Sequence, residues 1–163
     1  MLACTVFLVA LLPALFAQAP AASGNADFSA GLKALERDDY ATALNVWRPL
    51  AEKGDAAAQY GIGFMYANGK GVPQDDVEAA RWFRKAADQG NAVAQLNLGS
   101  LYANGQGVPQ DRAEAARWYR KAADQGNAVA QLNLGSLYAN GQGVPQDRAE
   151  AAQIGRASCR ERV

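Results

Sequence analysis

Few residues in this 163-residue chain have the type and spacing that catalysis requires. No histidine is present, which removes histidine-based triads, imidazole general bases and the usual zinc ligands. Two adjacent carboxylate pairs, Asp38 with Asp39 and Asp75 with Asp76, have the chemistry of a general acid and base. A turn between helices accounts for the first pair, however, and capping of a helix accounts for Asp75. We therefore predict no catalytic residue and no enzyme activity.

The glycines and cysteines offer no site for a cofactor or a metal. No phosphate-binding loop motif is present, and the G-x-G at Gly69 and Gly71 follows a helical pattern instead of a strand. The two cysteines, Cys4 and Cys159, lie near opposite ends of the chain, in a leader-like segment and in an anomalous tail. We expect no cofactor, no metal and no disulfide framework.

Charge is balanced and dispersed along the chain. Lys and Arg (16) equal Asp and Glu (16), and the signs alternate within each copy of an internal repeat. Nucleic-acid binding draws on concentrated positive charge, so we expect no nucleic-acid partner. Half of the residues are apolar (50%), which is enough to bury a core.

The internal repeat is the most informative pattern. Residues 92–116 recur without a change at 128–152, and a diverged copy occupies 56–80, which gives a period of 36 residues. A fixed period in this range marks an array in which one supersecondary unit stacks on copies of itself. Such arrays are usually binding surfaces.

Each copy reads as a hairpin of two helices, A and B. Helix A of the first copy carries an apolar stripe at helical spacing and stops at Asn68, before two glycines and Pro73. Helix B begins at Asp75, which forms a predicted reciprocal capping box with Glu78, and it ends at Gly90. The stripe of helix A comprises Ala58, Ile62, Met65 and Tyr66, and that of helix B comprises Ala79, Trp82, Phe83, Ala86 and Ala87.

A more divergent segment precedes the repeats. Residues 22–55 contain two apolar helical stripes, which predict an N-terminal capping hairpin of the same topology. Pro49 falls inside the second stripe, so we expect a kink or a local shift of hydrogen bonding there.

One frame of residues recurs in the copies. In the first copy it is carried by Ala58, Ile62, Gly63, Tyr66, Gly69, Gly71, Val72, Asp75, Ala79, Trp82, Ala86, Ala87 and Gly90. This frame resembles the Sel1-like repeat, a relative of the tetratricopeptide repeat. The resemblance implies an all-α fold, an α/α superhelical solenoid of helical hairpins. It also implies a concave groove lined by the A helices and a role as a scaffold that binds a protein or peptide. We divide the array into repeat 1 (56–91), repeat 2 (92–127) and a truncated repeat 3 (128–152).

The resemblance places nine residues in the groove. They are Tyr60, Phe64, Asn68, Leu96, Ser100, Asn104, Leu132, Ser136 and Asn140. For the three asparagines the competing interpretation is local, because each precedes a turn glycine and Asn tolerates the left-handed conformation. For Tyr60 and Phe64 the competing interpretation is packing against the capping hairpin.

An alternative function is an envelope enzyme or a glycan-binding protein, such as a relative of cell-wall hydrolases. It would require an exposed aromatic platform built from Tyr60, Phe64, Trp82 or Trp118. Trp82 and Trp118 lie on the apolar stripe of helix B, so we predict that they belong to the core.

The first 21 residues resemble a secretory signal peptide. An apolar run extends from Leu2 to Phe16, and small residues follow with the A-x-A spacing of a cleavage site. The run is shorter than the about 20 residues that a membrane span needs. We predict removal of residues 1–21, a periplasmic or secreted location and no membrane span in the mature chain. Lys and Arg are absent near the start, so a retained anchor or a start further upstream stays open.

Residues 153–163 depart from the repeat, since Gln153 and Ile154 stand where the period requires Arg and Trp. Codons for this tail resemble a common sequencing adapter, and we interpret it as non-biological sequence rather than a divergent C-terminus. Repeat 3 would then lack most of helix B and leave an apolar face with Leu134 and Tyr138 uncovered. We expect fraying or self-association there.

Overall fold

Eight α-helices in four consecutive hairpins make up the part of the chain that the structure describes. The computed structural model describes the backbone of residues 23–160 and the side chains of residues 28–155, so the predicted leader lies outside it. No strand occurs between residues 23 and 160, and the main packing contacts join consecutive helices, which confirms the α/α solenoid. The hairpins are α1 (Ser23–Leu35) with α2 (Tyr40–Glu52), α3 (Ala56–Asn68) with α4 (Asp76–Asp88), α5 (Ala92–Asn104) with α6 (Arg112–Asp124), and α7 (Ala128–Asn140) with α8 (Arg148–Arg160).

The capping residue predicted for α4 is confirmed, but one detail of its hydrogen bonding is corrected. The Asp75 carboxylate caps α4 by accepting from the backbone N–H groups of Val77 and Glu78, at 2.9 and 3.0 Å. The reciprocal half of the capping box is absent, so that prediction was wrong. The backbone N–H of Asp75 instead donates to the carbonyl of Tyr66 at 3.0 Å, and Glu78 pairs with Arg81. The end of helix A thus supplies the acceptor that the glutamate was expected to provide.

The predicted apolar stripes form the core. Ala58, Ile62 and Met65 are buried on α3, and Trp118 is only 4% exposed on α6. Trp118 packs into the cluster of repeat 1 that contains Phe83, so the tryptophan of one helix B joins two successive repeats. The prediction that Trp118 belongs to the core is confirmed.

Helix α2 runs through Pro49 as one continuous element. Proline has no N–H, so the carbonyl of Asn45 loses its helical donor. Both residues are exposed, which allows water to take the place of that donor.

The loop between helices A and B docks on the preceding repeat. A Cβ added at Gly107 would lie 2.1 Å from the carbonyl oxygen of Asp76, at the start of α4. Gly107 also has φ of 66°, a conformation that side chains rarely adopt. Only glycine fits here, so the second glycine of the G-x-G pattern sets how closely repeats stack.

The expectation of an uncovered helix A in repeat 3 was wrong. Helix α8 continues to Arg160 and packs on α7, so Leu134 is 2% exposed and Tyr138 is half-buried. Ile154 supplies apolar contact to this last cluster from the position that Trp118 holds in repeat 2. The exposed apolar side chains of α7 are Val129 (52%) and Leu132 (51%).

Candidate functional site on the helix A face

The nine predicted groove residues lie on α3, α5 and α7, three to a helix and four residues apart. Such spacing places them on one side of each helix, and we call this surface the helix A face. Its exposure rises along the chain: Tyr60, Phe64, Leu96 and Ser100 are half-buried, whereas Leu132 and Ser136 are exposed. The three asparagines Asn68, Asn104 and Asn140 are exposed at the helix ends.

Two depressions adjoin on this face. The first, of about 120 Å³, lies between the capping hairpin and α3, and the second, of about 340 Å³, lies between α3 and α5. Tyr60 and Phe64 line both and form the wall that separates them. The first is lined by Phe28, Leu32, Leu35, Trp47, Tyr60, Gly61 and Phe64, and the second by Tyr60, Phe64, Ala67, Asn68, Phe83, Asn97, Ser100, Leu101 and Gln106.

Packing against the core holds Tyr60 and Phe64 in position between the two depressions. The rings of Tyr60 and Phe83 are tilted, with centroids 5.8 Å apart, and Phe64 packs on the same cluster. The Phe83 ring lies where a Cβ on Gly63 would be, at 2.6 Å, so α3 and α4 approach closely. Tyr60 and Phe64 therefore combine partial burial in the core with an open side on each depression.

The asparagines at the helix ends make local hydrogen bonds. Asn68 donates to the carbonyl of Phe64 at 2.8 Å, and Asn104 donates to the side chain of Gln106 at 3.3 Å. The left-handed conformation is adopted by the following residue, Gly69, which has φ of 63°. The interpretation that Asn68 itself adopts this conformation was therefore wrong. The local bonds themselves support a role in ending the helix.

Sequence reasoning missed Asn97, which lines the second depression. Its counterpart one period later, Asn133, lies near the Tyr119 hydroxyl, which donates to Ser100 Oγ at 3.1 Å. Burial raises the pKa of Tyr119, and these two contacts oppose the shift. Phe83 replaces Tyr119 in repeat 1 and has no hydroxyl, so the half-buried carboxamide of Asn97 has no hydrogen-bond partner among the described side chains. The presence of Phe83 at the position of Tyr119 was the sequence signal that the surroundings of Asn97 and Asn133 differ.

A second missed set, Gln59, Gln95 and Gln131, is buried on the A helices. Gln95 donates to the carbonyl of Ala87 at 3.1 Å and accepts from Gln125 at 2.8 Å, so it fastens α5 to the end of α4. Gln59 makes the same pair of bonds. A polar residue recurring every 36 positions on a small-residue stripe was the signal for this structural role.

The opposite side of the array is charged. Arg84 hydrogen-bonds the Tyr102 hydroxyl, and Arg120 bonds Tyr138 at 2.6 Å. Lys85 lies 4.0 Å from the ring centroid of Trp82, and Lys121 makes the same contact with Trp118. Trp118 is buried, Trp82 is half-buried, and a lysine lies over each ring, so the two tryptophans do not form an open aromatic platform.

The carboxylate pairs have structural roles. Asp38 takes φ of 55° in the turn before α2, and Asp39 caps that helix. Hydrogen bonds from Thr42 lower the pKa of Asp39, which stabilises its charged form. Within the described residues, no group of three or more metal-binding side chains occurs, and no helix is long and apolar enough to cross a membrane.

Solved structures resemble this arrangement. A Sel1 repeat protein from Oxalobacter formigenes is 35% identical with a TM-score of 0.78, and the match covers 82% of this chain and 55% of that protein. The protective antigen c5321 of uropathogenic Escherichia coli, which displays an SLR fold, is 36% identical with a TM-score of 0.82, covering 85% of this chain and 30% of that one. This chain thus spans about half and about a third of their lengths. Cysteine-rich protein B of Helicobacter pylori, at 21% identity and a TM-score of 0.54, covers 66% of this chain and 91% of that one and shares the fold alone.

No curated protein sequence matches the chain significantly. Comparison with family models finds the Sel1 repeat at residues 56–91, 92–127 and 128–160, which is more than half of the chain. These matches coincide with the hairpins α3–α4, α5–α6 and α7–α8. The chain therefore belongs to the Sel1 repeat family.

Proposed function

We propose that this chain is a protein-interaction module that binds a segment of another protein on its helix A face. The observation that carries the proposal is the pair of adjoining depressions on either side of Tyr60 and Phe64. A repeated array presents such a surface along its whole length without any catalytic group. The module acts as a scaffold and not as an enzyme.

Site-specific photocrosslinking tests which face binds. A photoreactive amino acid at Asn68 or Asn104 lies on the helix A face, and one at Val77, which is 56% exposed on α4, samples the other side. We expect the same partner to be captured from envelope extracts at the first two positions and not at the third. Equal capture from both faces, or capture at Val77 alone, would contradict the proposal.

We further propose that the chain is exported to the periplasm or beyond. The apolar run of Leu2 to Phe16 and the small residues after it support this, although they lie outside the described residues. Mass analysis of the protein from the envelope fraction should find an N-terminus close to Ala22. An intact Met1 on cytoplasmic protein would contradict export.

A further inference from the structure

Three positions recur where successive hairpins meet. They are a tyrosine near the end of helix A, a valine in the following loop and a tryptophan on helix B. All three pack with the buried cluster that joins the two hairpins. The members are Tyr66, Val72 and Trp82 where the capping hairpin meets repeat 1, and Tyr102, Val108 and Trp118 where repeat 1 meets repeat 2. An indole ring is thus part of both of these interfaces.

The third interface, between repeats 2 and 3, has no indole ring from helix B of repeat 3. Tyr138 and Val144 pack against its buried cluster as their counterparts do, but Ile154 stands at the position of the tryptophan. Cγ2 of Ile154 lies 3.9 Å from the place of a Cβ on Gly135, so this side chain packs toward its own helix A. Isoleucine is smaller than tryptophan and covers less of the neighbouring repeat.

An open cavity of about 640 Å³, which we call the interface cavity, lies between repeats 2 and 3. Tyr138 and Val144 line it, together with Ala116 of α6. The counterpart of Ala116 one repeat earlier, Ala80, belongs to the same cluster as Trp118. The interface cavity therefore lies where the periodic tryptophan would pack. Its volume is within the range of about 300–1,000 Å³ that is usual for small-molecule sites.

The rim of the interface cavity is positively charged. Three cations, Arg117, Arg120 and Lys121, line it. The two arginines are each paired with one glutamate, at 3.3 and 3.4 Å, and one of these glutamates, Glu114, also lines the cavity. No carboxylate pairs with Lys121 within residues 28–155, and its Nζ lies 4.0 Å from the ring centroid of Trp118. One positive charge without a counter-ion favours a ligand that carries an acid group.

From these features we propose that the interface cavity binds a small aromatic acid of the indole class. The ring takes the place that the tryptophan of helix B holds at the two preceding interfaces, against Tyr138 and Val144. The acid group pairs with Lys121 at the rim. Burial of the ring supplies most of the affinity, and the ion pair selects the charge of the ligand. No residue of the helix A face lines this cavity, so the inference goes beyond the proposed function and does not depend on it.

Titration of the full, isotope-labelled chain with three compounds that share one ring tests the class of ligand. Indole-3-acetate should bind and shift the NMR signal of the indole N–H of Trp118, which lines the interface cavity. Tryptamine carries a positive charge instead of the acid and should bind at least about fivefold more weakly, with uncharged indole between the two.

Ile154→Trp supplies the missing ring from the chain itself. This variant should weaken the binding of indole-3-acetate at least about tenfold. It should also raise the midpoint of thermal unfolding by about 3 °C, because the new ring fills the cavity. The control Val129→Trp places the same ring at an exposed position of α7 and should change the affinity by less than about twofold.

A second pair of variants tests the rim and does not depend on the folding of Ile154→Trp. Lys121→Gln should remove most of the preference for indole-3-acetate over tryptamine. Lys85→Gln changes the equivalent lysine one repeat earlier and should leave the preference intact.

Two kinds of result would overturn the inference. Equal effects of Ile154→Trp and Val129→Trp, or a Trp118 signal that none of the three compounds shifts, would show that the interface cavity is not the site. Tryptamine that binds as tightly as indole-3-acetate, or equal effects of the two lysine substitutions, would overturn the acidic ligand. Neither result bears on binding at the helix A face.

Discussion

Residues 92–116 and 128–152 have the same sequence but different neighbours. Both begin with a helix A of 13 residues capped by an asparagine, and both bury their central leucine, Leu98 at 0% and Leu134 at 2% exposure. On the helix A face they diverge, because Leu96 is half-buried whereas Leu132 is 51% exposed. Local sequence thus determines the helix and its buried stripe, and the covering elements determine how much of the helix A face is exposed.

The divergence traces to helix B. Repeat 2 carries Trp118 and Tyr119, and repeat 3 carries Ile154 and Gly155 at the same positions. A Cβ on Gly99 would meet the Tyr119 ring at 2.8 Å, whereas a Cβ on the equivalent Gly135 would meet nothing closer than 3.5 Å. The ring that covers the helix A face of repeat 2 is thus missing from repeat 3.

The largest contrast is expected at positions 118 and 154. Trp118→Ala should lower the free energy of unfolding by about 3–5 kcal/mol, because it empties a core position shared by two repeats. Ile154→Ala should cost about 1 kcal/mol, since Ile154 is only half-buried. Urea denaturation followed by circular dichroism measures both. A cost below about 1 kcal/mol for Trp118→Ala would show that this residue is not a core anchor.

The two helix A glycines should respond with opposite signs. Gly99→Ala forces a methyl group into the Tyr119 ring and should destabilise the protein by about 1–3 kcal/mol. Gly135→Ala meets ordinary contacts and should stabilise it by about 0.5–1 kcal/mol, because alanine favours the helix. Thermal unfolding of the two variants compares them directly. Shifts of the same sign would mean that the ring does not distinguish the repeats.

Buried glutamines give a smaller contrast. Gln95 has both ends of its carboxamide bonded, whereas Gln131 donates to Ala123 at 3.3 Å and its buried Oε1 has no partner. Gln95→Met should therefore cost about 1 kcal/mol more than Gln131→Met in chemical denaturation. Equal costs would show that the second hydrogen bond of Gln95 contributes nothing.

The smallest effect on stability is expected at Leu132. Leu132→Ser should change the free energy of unfolding by less than about 0.5 kcal/mol, because Leu132 is already about half exposed to solvent. Self-association through repeat 3 stays a prediction, and this substitution should reduce it in sedimentation velocity runs at rising concentration. A parent chain that remains monomeric throughout would refute it.

Sequence periodicity predicted the helical hairpins, the apolar stripes and the burial of Trp118, because these depend on contacts that recur in every repeat. It failed where a polar group had a choice of partners and where the sequence departs from the repeat. Asp75 donates to the end of α3 instead of to Glu78, and tail residues such as Ile154 cover α7 although they depart from the repeat. The position of Asn97 in the second depression was also missed, since periodicity does not show which polar side chains line a depression between two helices.

The amino-acid sequence by itself determined the family, the helical hairpins of repeats 1 and 2 and the uncharged composition of the A helices, since each follows from residue type and spacing. Tertiary structure decided which side chains of the helix A face remain open. The same residues of α5 and α7 differ in exposure, and their neighbours from other helices differ too: the Tyr119 ring packs against α5, whereas Gly155 stands at the equivalent position beside α7. A side chain's availability to a partner is a property of the packed array, since neighbours distant in sequence either satisfy its polar atoms and cover its surface or leave both free.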